Sequence, residues 1–275
     1  GGVVVAAGPG VHSVRPGDHV VMHWRKGVGI ESILPKYYCN ELSKEVGGGS
    51  VTTFQQYSVV SENRITKIPK DIPLDIAALM GCAVTTGLGV VSNELRIKLG
   101  QSVIVFGCGG VGLNVLQGCM LASAYPIIGV DLVDAKLNQA LVMGATGVIN
   151  SSQGNFDTVQ AAYPPFDIAI DTTGIPSVIE LAWKIAKSVC LVAQVRHDKH
   201  VALQTLPMHQ GKTIIGSDGG ATDPTTDIPR YIKLYKAGRL NLEALITHRF
   251  HLNRINDALD EIRAGNVGRA VIDMT

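Results

Sequence analysis

The stretch "VIVFGCGGVGLNV", residues 103–115, sets four glycines between an apolar run and the opening of a helix. "VIVF" reads as a buried strand and "GVGLNVLQG" as the helix that follows it. Gly107, Gly109 and Gly112 make the pattern G-x-G-x-x-G. The first glycine permits a tight turn, the second lets a pyrophosphate approach the backbone, and the third lets helix and strand pack closely. The phosphates would then lie on the helix N-terminus, where free N–H groups and the macrodipole favour an anion. With 31 glycines in the chain, the pattern alone has little specificity. Asp131 sharpens it: it ends the next strand, "IIGVD", nineteen residues past Gly112, near the spacing of a ribose-binding acid. The alternative is a glycine-lined strand–helix turn with Asp131 as a helix N-cap. As a ribose ligand, the Asp131 carboxylate has oxygens for both hydroxyls and faces a 2′-phosphate with like charge, which favours NAD over NADP. Lys136, near the same ribose edge, either weakens that preference or is a solvated helix lysine.

Outward from this stretch, short β-branched runs alternate with amphipathic segments: "SVIVF", "VGLNVLQGCMLA", "IIGVD", "AKLNQALVMGA", "TGVIN", "FDIAID", "PSVIELAWKIA", "SVCLVAQV" and "TIIGSD". Strands separated by helices imply a parallel sheet, and runs apolar at every position suit strands covered on both faces. The expected fold class is α/β, with a doubly wound domain over residues 84–222. Residues 1–83 differ: "GVVVAAG", "GDHVVMHW" and "TFQQYSVVSENRITKIP" are strand-like runs between Gly, Pro and Asp turns, so a mostly β domain is expected. The run 46–50, "VGGGS", reads as a flexible loop tip. Residues 223–275 return to helical periodicity in "IPRYIKLYKAG" and "RINDALDEIRAG" and close on the strand-like "RAVIDM".

Composition narrows the function classes. Lys plus Arg number 24 and Asp plus Glu 23, so no global field holds nucleic acid or an anionic membrane, and a small-molecule partner is expected. No charged residue lies between Lys98 and Asp131, but seven glycines with Gln101, Asn114, Gln117 and Pro126 break that window into strand, turn and helix. Five widely spaced cysteines in 275 residues do not resemble a disulfide-stapled scaffold, and the expected compartment is the reducing cytoplasm. The first residues lack an initiating Met and the features of a signal peptide, so the start is expected to be cut.

Beyond the turn, several stretches carry one resemblance. "GVVVAAGPGVHSVRPGDHVV", "GSVTTFQQYSVVSENRITKIP", "MGCAVTTGLGVV", "FGCGGVGLNVLQGCMLASAYPIIGVDLVDAKL" and "LITHRFHLNRINDALDEIRAGNVGRAVIDM" together resemble the zinc-type alcohol dehydrogenases of the medium-chain dehydrogenase/reductase family. The resemblance implies a GroES-like catalytic domain and a Rossmann domain, NAD and zinc as cofactors, an alcohol or its aldehyde or ketone as substrate, and a homodimer or homotetramer. Cys82 resembles a thiolate ligand of the catalytic zinc, a Lewis acid on the substrate oxygen; a lone Cys is otherwise a small buried hydrophobe. Thr86 resembles a residue near the nicotinamide and Val111 one behind its ring. Arg269 resembles a basic residue that reaches the pyrophosphate, and Trp24 falls near the wall of the substrate pocket.

The chain also departs from that family. The lobe between "GDHVV" and "TTFQQY" holds Cys39 and no other cysteine, where members with a structural zinc carry four. One catalytic and no structural zinc is therefore expected, with His23 a hydrogen-bonded structural residue. Gln194 stands where the family commonly has glycine beside the nicotinamide carboxamide. The other zinc ligands and the proton-relay hydroxyl correspond to positions upstream of Gly1, so the catalytic residues are not identified. The remaining alternatives are a zinc-independent reductase of quinones or enones, with Cys82 structural, and a cofactor-binding protein without catalysis.

Overall fold

The structure, a computed structural model, describes residues 1–152, 165–265 and 267–274; the span 153–164 of the expected second domain and Asn266 of the closing stretch lie outside the described residues. The chain forms two compact units, Gly1–Cys82 with Asp223–Thr275, and Ala83–Thr222.

Among the described residues of the unit Ala83–Thr222, six strands form one parallel sheet: β1 (Val103–Phe106), β2 (Ile127–Asp131), β3 (Gly147–Asn150), β4 (Phe166–Asp171), β5 (Ala186–Leu191) and β6 (Thr213–Gly216). Their order is β6-β5-β4-β1-β2-β3, the Rossmann arrangement with its reversal point between β1 and β4. Four helices position the site: α1 (Ala83–Gly89), α2 (Gly110–Leu121), α3 (Asp134–Val142) and α4 (Pro176–Ile185). Every residue of β1 is buried, as expected for a central strand of a doubly covered sheet. Ile104, Phe106, Ile128 and Val130 share one core cluster with Val178, Leu181, Ala182 and Ile185 of α4. Pro176 starts α4, where its missing N–H costs nothing. The uncharged window between Lys98 and Asp131 is β1, α2 and β2, and among the described residues no helix is long and apolar enough to cross a membrane.

The other unit mixes small sheets and helices. Gly2–Val3, His19–Met22 and Ile65–Ile68 pair antiparallel; Lys36–Cys39 and Lys44–Gly47 form a hairpin; Ile246–His251 and Arg269–Asp273 pair in parallel. Helices cover Leu74–Leu79, Pro224–Lys236 and Ile255–Arg263. Buried Glu62 ties its loops: Oε1 accepts the amides of His12 and Ser13 at 2.9 and 2.8 Å, and Oε2 that of Ile30 at 3.0 Å. Those three amides, Ile30 foremost, hold its pKa down to about 2. His23 is buried between the Arg25 carbonyl at 2.7 Å and Thr66 Oγ1 at 2.9 Å, and burial holds its pKa below the ordinary histidine value.

Three local expectations change here. The run 46–50 does not start as a loop tip: Val46 and Gly47 pair with Tyr37 and Lys36 in the hairpin. "TFQQYSVV" is irregular, with Tyr57 and Val59 exposed, and side chains hold it: Gln55 Nε2 donates to Tyr37 Oη at 3.2 Å and Ser58 Oγ at 3.0 Å. Ile246–His251 is a strand that helical periodicity alone did not reveal.

Candidate functional site

The turn between β1 and α2 is built by three glycines with three different demands. Gly107 has φ +90°, a conformation that L side chains rarely adopt, and a Cβ there would collide with Thr172 Oγ1. A Cβ on Gly112 would run into the Gly107 carbonyl oxygen. At Gly109, by contrast, φ is −79° and ψ is −171°, which any residue adopts, and a Cβ would meet nothing within 4 Å. Two of the glycines are thus required by the protein's own packing. Gly109 is not: the space above it is open, as a cradle for a pyrophosphate must be. Leu113 N donates to Gly109 O at 2.9 Å as the first backbone bond of α2, so the amides of Gly110, Val111 and Gly112 precede the intrahelical ladder.

Asp131 ends β2 beside this turn. Its Oδ2 accepts the Cys108 amide at 2.8 Å, while Oδ1 accepts those of Leu132 and Val133 at 2.8 and 3.1 Å. It is not an N-cap, since α3 begins after Val133 with no side-chain cap bond. A carboxylate has about four lone-pair sites, and the three amides occupy three of them. Lys136, half-buried in the first turn of α3, is close enough to Cys108 for its charge to favour the thiolate. Burial dominates nonetheless, and with the Asp131 charge it pushes the Cys108 thiol up to about 12. Cys108 is a packed side chain and no nucleophile.

Thr86 is buried in α1, next to Gly87, whose missing side chain lets α1 approach Asn114 and the Val111 carbonyl of α2. Gly107, Gly109, Val111, Gly112, Asp131, Lys136 and Thr86 therefore gather in one unit, around the C-terminal ends of β1 and β2. The other predicted residues belong to the other unit. Gly81 lies against the Met22 carbonyl, which puts the exposed Cys82 beside the strand that leads to Trp24. Trp24 is 45% exposed, its ring capped by the Arg25 guanidinium at 5.7 Å, its carbonyl accepting from Arg64 Nη1. Arg269 begins a strand; burial lowers its pKa, and Cys82 is within electrostatic reach of its guanidinium and opposes that shift. Among the described residues no three His, Cys, Asp or Glu side chains converge to hold a metal.

The sequence reading passed over residues 171–174, "DTTG", at the end of β4. Phe106 and Asp171 are paired across β1 and β4, so this turn adjoins the glycine turn. Asp171 is fully buried and accepts Thr173 N at 3.1 Å, Thr173 Oγ1 at 2.6 Å and Gly174 N at 2.9 Å; burial raises its pKa. Gly174 has φ +67°, and its backbone lies against the carbonyl of the exposed Gln194 after β5. An Asp-Thr-Thr-Gly run ending a strand was the available signal, because Asp and Gly are turn formers.

Residues 1–70 match the family model "Alcohol dehydrogenase GroES-like domain" and residues 110–237 the model "Zinc-binding dehydrogenase". The alcohol dehydrogenase class-3 of Cereibacter sphaeroides is 31% identical over 98% of this chain and 82% of its own length. The chain belongs to the zinc-type alcohol dehydrogenases. The class-2 isozyme 2 alcohol dehydrogenase of Oryctolagus cuniculus is likewise 31% identical, over 98% of this dehydrogenase and 80% of the relative. The solved benzyl alcohol dehydrogenase of Acinetobacter calcoaceticus superposes with a TM-score of 0.85 at 24% identity, covering all of this dehydrogenase and 82% of that chain. The dehydrogenase is an oxidoreductase of this family, which favours the alcohol–carbonyl reading over a quinone or enone reductase and over a binder without catalysis.

Proposed function

We propose that this dehydrogenase transfers a hydride between an alcohol/carbonyl pair and NAD, the observation that carries the reading being the open backbone over Gly109 beside the fixed carboxylate of Asp131. The residues fit the dinucleotide. Gly109 and the amides of Gly110–Gly112 receive the pyrophosphate, Oδ2 of Asp131 accepts a ribose hydroxyl, and Val111 and Thr86 flank the nicotinamide. For Arg269 the proposed role rests on the family resemblance and on the shape of its guanidinium fork, which suits a pyrophosphate. Bound NAD supplies the hydride acceptor. The protein's part is to hold its ring in one orientation, and Trp24 is proposed for the substrate pocket.

Zinc is proposed at Cys82. The described residues supply this single thiolate and no converging set of three, whereas a catalytic zinc takes three protein ligands; no step is derived through the metal. The hairpin lobe holds Cys39 alone, so no structural zinc is proposed. Elemental analysis of protein purified without chelator should find at most one zinc per chain; two tightly held would show that the lobe is a metal site after all.

Assembly into a homodimer or homotetramer is proposed from β6, which pairs only with β5 among the described residues and leaves Ile215 38% exposed at the sheet edge. An open edge strand is normally covered. Light scattering at micromolar concentration should give at least twice the chain mass, and a monomer would contradict it. Five cysteines, widely spaced along 275 residues, suit a cytoplasmic setting. The overall reading is tested by a screen of alcohols and aldehydes that follows the absorbance of the reduced nicotinamide. Turnover with one substrate class supports it, and binding of NADH with no turnover across the screen would leave only the cofactor site standing.

A further inference from the structure

We propose that Thr172 is a positioning residue for the pyrophosphate turn, its hydroxyl holding the Gly107 peptide in the conformation that presents residues 108–112 to the dinucleotide. The proposal rests on the reading of this turn as the NAD site. Thr172 follows β4 directly, and its backbone N–H donates to the Phe106 carbonyl at 2.9 Å. Its Oγ1 lies 2.9 Å from that same carbonyl and 3.0 Å from the Gly107 carbonyl, so one hydroxyl proton is shared by the last residue of β1 and the first of the turn. The same oxygen fills the place a Cβ would take on Gly107 and lies 3.4 Å from the position of one on Gly112.

Glycine reaches positive and negative φ about equally easily. Nothing within Gly107 therefore selects its φ of +90°; bonds from outside do so, its N–H donating to the Val130 carbonyl at 2.8 Å and its carbonyl accepting from Thr172 Oγ1 at 3.0 Å. Thr172 is suited to that role because its own freedom is restricted. A β-branched side chain has few χ1 choices, and the backbone on either side is fixed, by β4 before it and by the three bonds to buried Asp171 after it. The hydroxyl acts on the cofactor through Gly107, without touching it. The arrangement also links the two ends of the site, since the turn that fixes Thr172 runs on to Gly174 and the backbone of Gln194.

The test is titration of the full chain with NADH and with ADP-ribose, which shares the pyrophosphate but lacks nicotinamide, together with thermal melting of the unliganded protein. Thr172→Val removes the hydroxyl and keeps the shape; Thr172→Ser restores the hydroxyl. Thr172→Val should weaken both ligands by the same factor, about five- to tenfold for a lost hydrogen bond, and Thr172→Ser should stay within about twofold of the unaltered chain. If Thr172→Val does not fold, Thr172→Cys, with a weak S–H donor, should show the same loss. Unchanged affinity with a lowered melting temperature, or a serine variant as weak as the valine one, would overturn the proposal. Failure of the unaltered chain to bind NADH would instead overturn the reading of the site itself.

Discussion

Gly109→Ala should weaken NADH binding roughly 5- to 150-fold while the protein folds as before, and Gly112→Ala should damage both fold and binding. The contrast follows from the space around each residue. At Gly109 the backbone is extended and a methyl group meets nothing within 4 Å. Loss of a favourable glycine at the helix N-cap costs at most about 1 kcal/mol, and reduced freedom of the unfolded chain returns about 0.4–1 kcal/mol of it. The methyl does occupy the volume over which a pyrophosphate must settle, an overpacking of about 1–3 kcal/mol that falls on the complex alone, or roughly 5- to 150-fold in affinity. Gly112 offers the opposite case. Alanine there gains about 1 kcal/mol of helix propensity, but its Cβ would strike the Gly107 carbonyl, and α2 must move off the turn. The clash, about 1–3 kcal/mol, exceeds the gain, so the melting temperature falls and binding falls with it. Melting curves and NADH titrations of both variants check the pair; unchanged NADH affinity in Gly109→Ala would remove the pyrophosphate from this turn.

Asp131→Gly should weaken NAD by about 1–3 kcal/mol, the loss of a charge-assisted hydrogen bond, while NADP is affected less or gains. The structure adds a second reason for the loss. Asp131 holds the Cys108 amide at 2.8 Å as well as the amides of Leu132 and Val133, so its removal loosens the turn together with the ribose contact. For NADP the same loosening is offset by the removal of a negative charge facing the 2′-phosphate. Lys136, on α3 near Cys108, then becomes an available cation for that phosphate. Dissociation constants of both cofactors for both proteins decide the matter, and equal losses for NAD and NADP would refute Asp131 as the ribose ligand.

The sequence reveals the sheet and the turn for the same reason: both leave marks in residue type. β1 is apolar at every position because helices cover both its faces, and Gly107 and Gly112 are glycines because backbone conformation and packing exclude a Cβ. What escapes the sequence is made of backbone partners and pairing. Ile246–His251 alternates half-buried and exposed residues and carries Thr247, His248, Arg249 and His251, so its apolar signal is thin. "QQYSVV" has strand-like residues but no partner strand among the described residues, and the pattern alone does not show that absence. The three amides on Asp131 and the hydroxyl bridge of Thr172 depend on where carbonyls and N–H groups point, which no residue spacing encodes. Cys82 and Arg269 lie 187 residues apart in the chain, and only the fold brings them within electrostatic reach of each other.

The central claim, that the glycine turn of the Ala83–Thr222 unit is an NAD site, is tested most directly by titrating the unaltered chain with NADH and following nicotinamide fluorescence, with ADP-ribose as competitor and NADPH in parallel. The predicted result is saturable binding of one NADH per chain, displaced by ADP-ribose, with NADPH at least about tenfold weaker, the equivalent of about 1.4 kcal/mol of like-charge repulsion at the half-buried Asp131. No saturable NADH binding up to millimolar concentration, or NADPH bound more tightly than NADH, would contradict it.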